Sequence, residues 1–316
     1  MRGLNAHVTL QKLEVFCTVA ELRSVTRAAD YLCITQPVVT SHIRGMEDKL
    51  GAKLIRREGR GIVLTPTGLK VLEWAQDVVR RTLEMEREIG AATPFGTDKV
   101  VVGASMSVGT YQLPGLICDF QTERPDGQVE LSISNPKIAL EDARTGECDM
   151  AVVVLSPEQR LDGLAVHALW NEPLLLVSAP HSKWVGRTAT REQISKLPFI
   201  STTSGRVMKH LEESLLRTSG IASRRIVLAL GHPEAQKTAV LRDFGVCLLF
   251  RSAVADELER GTLRSVETPE FGMSVPIYLA HRKDKNFSPF QLRFKEHMES
   301  ANPCLDKTRR LVRKSA

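Results

Sequence analysis

No stretch of this chain is apolar for long enough to cross a bilayer; none approaches the roughly 18 residues a span requires. The N-terminus lacks the charged-then-apolar order of a secretory signal, so a cytoplasmic location is expected. The six cysteines (Cys17, Cys33, Cys118, Cys148, Cys247, Cys304) are scattered, with no Cys-x-x-Cys pair. That leaves no disulfide framework and no thiolate metal site, and most of these residues are expected as small core hydrophobes. None of the eight histidines is followed four residues later by another, so no structural metal and no resident cofactor is expected. No Gly-x-Ser-x-Gly is present, which removes the strand-to-helix serine elbow of many hydrolases.

What the chain does have is length and an uneven charge. Its 316 residues suffice for two or three domains with real cores. The net charge is +6, but residues 1–64 hold 10 Lys/Arg against 6 Asp/Glu, and residues 303–316 hold 5 against 1. The basic surplus therefore sits at the two ends, and the first of them would be drawn to a phosphate backbone.

Residues 24–47, SVTRAADYLCITQPVVTSHIRGME, carry the clearest pattern. Ser24 caps a short amphipathic segment whose inward face is Val25, Ala28, Ala29 and Leu32, with two small residues that let a second helix cross closely. Cys33 and Ile34 make a break. Thr35 then stands at an N-cap position ahead of Gln36 and Pro37, where a proline is tolerated. Beyond it Val39, Ile43, Met46 and Leu50 recur at helical spacing. The other face is Gln36, Thr40, Ser41 and Arg44, short hydrogen-bonding groups and one cation, as a helix in a major groove would present; Ser24, Thr35 and Pro37 at the helix starts are expected at the DNA with them. An ordinary αα-hairpin with a solvated face gives the same local pattern. The following residues separate the two. Gly51 to Arg57 leads into Glu58-Gly59-Arg60-Gly61 and then Ile62-Val63-Leu64, a hairpin with Arg60 at a glycine-rich tip. A basic wing beside such a helix makes a winged helix-turn-helix, and its arginine can enter the minor groove.

LQKLEVFCTVAELRSVTRAADYLCITQPVVTSHIRGMEDKLGAKLIRREGRGIVLTPTG resembles the N-terminal pattern of the LysR-type transcriptional regulators nearly end to end. The resemblance includes the Thr-Gln-Pro that starts the second helix and the Leu-Thr-Pro-Thr-Gly after the wing. Ser41 and His42 stand where the family often has longer polar side chains.

The rest of the chain extends this reading. Val8–Leu22 is predicted as a first helix with Leu10, Leu13, Phe16, Cys17, Val19 and Ala20 inward. Thr65-Pro66-Thr67 starts a long helix to about Ile89. Along it Val71, Ala75, Val78, Thr82, Met85 and Ile89 alternate spacings of four and three, a coiled-coil seam. Packing on its own domain is one reading of this helix. Dimerisation is preferred, because a half-site reader needs a two-fold partner, and the family resemblance implies the same. After the linker GAATPFGTD, strands and helices alternate, which predicts an α/β region with a mainly parallel sheet. The expected strand Val100–Gly103 is followed by a loop, Ala104–Gly109. The expected domains are residues 1–64 (winged helix-turn-helix), 65–93 (linker helix and hinge), 94–302 (effector domain) and 303–316 (a basic tail, disordered or weakly attracted to DNA). The effector domain is expected as two lobes, 94–157 with 269–302 and 158–268. A two-lobed, periplasmic-binding-protein-like architecture is what the pattern describes, and the resemblance implies its second crossover.

In open α/β sheets, ligands sit beyond the carboxyl ends of strands, near helix N-termini. Four such ends are visible: Ser105-Met106-Ser107 with Thr110, Asn135, Ser201-Thr202-Thr203, and His232. Phe250, with Met106 and Val108, is a candidate apolar wall. Each polar residue could equally cap its own helix. The resemblance favours a small-molecule effector between the lobes, and the donors suit a small organic anion such as a carboxylate. The function expected is a ligand-responsive, operator-binding regulator that acts as a homodimer or homotetramer, with RNA polymerase as a further partner and no membrane. Two alternatives are a hydrolase-like enzyme using Ser105 or Cys247 with His232, for which no orienting acid is visible, and a DNA binder without a ligand. The chain is read as a non-enzyme.

Overall fold

Small residues where helices cross, and polar caps where they begin, organise the N-terminal unit. The computed structural model describes residues 8–59, 61–91, 98–156, 159–203 and 207–301; it divides into two units, Met1–Gly96 and Thr97–Ala316. In the first, α1 (Leu10–Leu22) starts at Thr9, whose side chain accepts from the Lys12 amide. The second helix, α2 (Val25–Tyr31), is capped by Ser24, which accepts from the Arg27 amide. A tight turn follows, with Cys33 in the left-handed region at φ 54° and the Ile34 amide returning to the Ala29 carbonyl. Helix α3 (Gln36–Leu50) has Pro37 in its first turn and ends at Gly51, φ 65°. Ala28 and Ala29 are buried against Leu13, Phe16 and Val19 of α1 and Val39, Ile43 and Met46 of α3. Val15, missed as an inward residue of α1, joins the same core.

Two short antiparallel strands form the wing: β1 (Ile55–Glu58) and β2 (Gly61–Leu64). The Thr-Pro-Thr-Gly that follows has a definite job. Thr65 Oγ1 donates to the Lys53 carbonyl at 2.6 Å and accepts from the Gly68 amide at 2.9 Å. It thereby caps α4 (Pro66–Ala91) while tying it to the segment before β1. A Cβ on Gly68 would lie 2.0 Å from the Leu54 carbonyl oxygen, so only glycine permits this approach.

Helix α4 corrects the predicted seam. Ala75 is wholly buried, and Val71 and Val78 pack half-buried on the same core. The first half of the stripe therefore closes the unit's own interior. Met85 and Ile89 are exposed at 54 % and 60 %, as is Trp74 at 43 %. Trp74 and Met85 are eleven residues apart, about three turns, so the outward stripe runs through Trp74, Met85 and Ile89.

The second unit runs β3 (Asp98–Ser105), α5 (Met106–Tyr111), α6 (Leu113–Glu123), β4 (Gly127–Ser134), α7 (Pro136–Thr145), β5 (Met150–Val154) and β6 (Leu164–Ser178). It continues with α8 (Arg191–Lys196), β7 (Pro198–Ser201), α9 (Val207–Thr218), β8 (Arg225–Ala229), α10 (Pro233–Leu241), β9 (Cys247–Phe250), a 3-10 turn Arg251–Val254, α11 (Ala255–Arg260), β10 (Arg264–Ser265), β11 (Ser274–Arg282) and α12 (Pro289–Ser300). The expected loop 104–109 is instead the end of β3 and most of α5. The sheet is mixed. β4, β3 and β5 are parallel, but β11 runs antiparallel to β5 and to β6.

Strand β6 moves the lobe boundary. Its first part, Leu164–Pro173, pairs with β11 in the first lobe's sheet. Its last part, Leu174–Val177, pairs with β9, and Val177 and Ser178 pair with β10, in the second lobe. One continuous 15-residue strand is thus the outward crossover, and the second lobe begins near 174 rather than 158. Alternation of exposed and buried residues over 164–173 is weak, which hid the strand. The chain returns after β10, where the Leu174 amide meets the Met273 carbonyl at 3.0 Å. Val108, Trp170, Phe250 and Val275 belong to one buried cluster that runs through both lobes.

Candidate nucleic-acid interface and effector site

Helix α3 divides its faces cleanly. Val39, Ile43 and Met46 are at most 3 % exposed, and on the other side Gln36, Pro37, Ser41 and Arg44 are exposed with Thr40 half-buried. These five residues, with Gly45 and Asp48, line one open groove. Amide, hydroxyl and guanidinium groups on one helix face can match donor and acceptor edges in a major groove. The other two described residues expected at the DNA have local roles as well. Ser24 holds the start of α2, its Oγ accepting from the Arg27 amide at 3.3 Å. Thr35 takes the extended N-cap conformation but its side chain makes no capping bond. Arg60 lies outside the described residues.

Sequence reasoning missed Glu47. It is 5 % exposed at the last turns of α3. Its Oε1 accepts from the Leu54 and Ile55 amides at 2.9 and 3.4 Å, and Oε2 meets Lys53 Nζ at 2.6 Å. Burial pushes the carboxyl pKa up; the Lys53 ammonium and the two amides outweigh it and hold the group below the ordinary carboxylate range. Glu47 therefore ties the end of α3 to the start of the wing. A Glu-Asp pair late in an exposed helix reads as solvated charge, so no signal marked it.

The expected effector residues fare differently. Asn135 Oδ1 accepts from the Ile138 amide at 2.9 Å and caps α7. His232 Nδ1 accepts from the Glu234 amide at 3.2 Å and caps α10. Ser201 sits in a buried network: its Oγ donates to Glu212 Oε2 at 2.9 Å and accepts from Lys209 Nζ and Arg224 Nη2 at 3.1 and 3.0 Å. Arg224 Nη2 also pairs with Glu212 Oε2 at 2.8 Å, and its guanidinium lies over the Phe199 ring. Burial raises the Glu212 pKa, and Arg224, Ser201 and Lys209 oppose it. Phe250 and Val108 are core residues, 3 % and 0 % exposed. The capping and packing roles win at these positions because the helix starts and the core supply partners within reach.

Ser105 is the exception. It ends β3, is 4 % exposed, makes no capping bond to α5, and its Oγ has no hydrogen-bond partner. Arg224 Nη1 is likewise buried without a partner. Such orphaned donors are rare in folded proteins and call for a bound group or water. Of the other residues expected at the effector, Met106, Ser107 and Thr203 are half-buried, Thr202 buried and Thr110 exposed.

Residues 10–69 match the family model described as bacterial regulatory helix-turn-helix protein, lysR family, and residues 96–302 match the LysR substrate binding domain. The chain belongs to the LysR family of DNA-binding transcriptional regulators. It is 28 % identical over 309 residues to the HTH-type transcriptional regulator YeiE of Escherichia coli K12, itself uncharacterized, covering 94 % of this chain and 99 % of that one. Among solved structures it superposes on a full-length OxyR variant from Pseudomonas aeruginosa with a TM-score of 0.65 at 20 % identity, over 94 % of this chain and 99 % of that one. The regulatory domain of CcmR from Synechocystis PCC6803, solved with 2-PG, gives 0.57 at 20 % identity, over 65 % of this chain and 97 % of that one.

For this LysR regulator the Cys247 form of the hydrolase pairing loses its support. Cys247 is 0 % exposed in a cluster with Val177, Ile200 and Leu249, and burial raises its thiol pKa well above the ordinary value, as for an inert core cysteine. Among the described residues no group of three His, Cys, Asp or Glu side chains could hold a metal, and no helix is long and apolar enough to cross a membrane.

Proposed function

We propose that this LysR regulator works in the cytoplasm, reads an inverted-repeat operator through α3 and the wing as a homo-oligomer, and responds to a small organic anion held between its lobes. The buried, unpartnered hydroxyl of Ser105 carries the effector reading. It stands at the carboxyl end of a parallel strand, where α/β folds take ligands, and a carboxylate would supply the missing acceptor. Arg224, whose Nη2 bonds Ser201, offers in Nη1 a buried donor of opposite charge to a carboxylate. That the CcmR regulatory domain was solved with 2-PG supports a small ligand in a domain of this fold. Gln36, Thr40, Ser41 and Arg44 support base reading, and the exposed Trp74, Met85 and Ile89 stripe supports association along α4.

Calorimetry with a panel of aromatic and aliphatic carboxylates tests the effector. Ser105→Ala with Thr203→Ala should abolish binding and leave operator affinity near that of the parent. A cationic or bulky apolar ligand, or a double variant that binds as well as the parent, would overturn the site. Loss of operator binding in the same variant would show that these residues are structural.

A further inference from the structure

We propose, resting on the effector reading above, that Tyr111 and Gln112 are positioning residues: they latch the two lobes at a fixed angle and pass occupancy beside Ser105 to the second lobe. α5 is six residues long, and its two ends do different things. It begins directly after Ser105, with that buried, unpartnered hydroxyl. It ends at Tyr111, and both Tyr111 and Gln112 reach out of the first lobe.

Tyr111 donates its hydroxyl proton to Glu234 Oε1 on α10 at 2.6 Å. The same oxygen meets Lys237 Nζ at 2.7 Å. Lys237 also donates to Glu257 Oε1 at 2.7 Å and to the Ala253 carbonyl at 3.0 Å. Its three donors are thus matched by three acceptors, and its ammonium lies 5.4 Å from the centroid of the Tyr111 ring. Burial lowers the Lys237 pKa; the two carboxylates outweigh it and raise it above the ordinary value, so this cation stays charged. Gln112 is 4 % exposed. Its carbonyl accepts from Trp170 Nε1 at 2.8 Å inside the first lobe, and its amide donates to Ser252 Oγ at 3.3 Å in the second.

Two consecutive residues therefore hold the second lobe by two bonds, one to α10 and one to the 3-10 turn. Because they are adjacent, a rotation of α5 breaks or keeps both together. A short helix packed through Val108 and Gly109 against β3, β4 and β5 moves as one piece, so a ligand that draws the Ser105 end displaces the Tyr111 end. A bistable contact of this kind, with a rigid lever on one side and a charged acceptor on the other, is what converts a small shift into a change of lobe angle.

Trp170 supplies the reporter, being 5 % exposed and bonded to Gln112. In the full chain, Trp74→Phe with Trp184→Phe leaves it as the sole indole. Acrylamide quenching of this parent should be weak. Tyr111→Phe keeps the ring and removes only the hydroxyl; it should raise the quenching constant about twofold by populating an open lobe arrangement. Glu234→Met, which removes the acceptor, should do the same, and the double variant should add little to either, since the Tyr111–Glu234 bond is the contact the two share. Quenching that stays at the parent value in both folded variants overturns the latch, and so do effects that simply add. Calorimetry with benzoate and succinate on the same proteins separates the two readings. If neither binds the parent, the effector class is wrong, and the quenching result still decides the latch. If one binds, its affinity should change about threefold or more in Tyr111→Phe, as expected when the competent state's population shifts; an unchanged affinity overturns the coupling.

Discussion

On α3, Gln36, Ser41 and Arg44 lie exposed on a helix whose other side is buried, whereas at the strand ends of the effector domain Asn135, Ser201 and His232 are already bonded to their neighbours. A serine and a side-chain amide stand in both places. In the N-terminal unit the backbone of α3 satisfies itself along the helix, so the surface side chains remain available to a partner. In the α/β unit Asn135 and His232 are captured by the unsatisfied amides of the helices that start beside them, and Ser201 by Glu212, Lys209 and Arg224. A candidate ligand residue in such a fold is therefore one that has escaped capture, and Ser105 is the case in point.

The hardest test of this comparison uses α4, which has both kinds of position on one helix. Ala75→Asp places a charge in a closed core and should cost about 3–5 kcal/mol, enough to unfold the N-terminal unit, while Met85→Asp should leave it folded and reduce only the oligomer size. Circular dichroism and light scattering on the two variants decide this; an intact fold in Ala75→Asp would mean the stripe faces outward there after all.

Next come the reading residues. Gln36→Ala or Arg44→Ala should each cost about 1–3 kcal/mol of operator affinity without changing stability. Arg60→Ala should instead weaken binding to all DNA and flatten its salt dependence. Footprints and affinities unchanged in the first two variants would remove α3 from base contact.

Glu47 should show a smaller effect with a pH signature. Its carboxyl is held below the ordinary range when folded. It thus contributes stability that is full above the unfolded carboxylate pKa of about 4.3 and is lost as pH falls through the lower folded value. Glu47→Gln should cost about 1–2 kcal/mol near neutrality and lack that acid-side slope. Urea titrations at several pH values would expose a parallel pair of curves if the residue does nothing.

The smallest effect is expected at Asn135. Asn135→Ala should cost about 1 kcal/mol as a lost cap and leave carboxylate binding where it was. A selective loss of binding would return Asn135 to the effector site.

Much of the N-terminal unit is legible because its signals are local. Ser24 and Pro37 mark helix starts, Gly51 a stop, and Val39, Ile43 and Met46 a buried face, all within a few turns of one another. Crossover strand β6 is not legible in that way, since its two halves take different partners from far along the chain: β11 for one, β9 and β10 for the other. Glu47 and Arg224 escape notice for a related reason, as a charged residue carries no mark of burial until its partners are assembled.

By itself, then, the sequence determined where the helices of the N-terminal unit begin, that a basic wing follows a polar-faced helix, and that strands alternate with helices beyond residue 98. Those features depend on periodicity and capping, which act over one to three turns. Only the tertiary structure decided that Ala75 closes a core while Met85 does not, that Asn135 and His232 are caps, that Ser105 is left without a partner, and that Tyr111 reaches the second lobe. Each of these depends on which groups meet across the fold, and a buried polar atom is satisfied or stranded only by neighbours that the chain brings to it from far along its length.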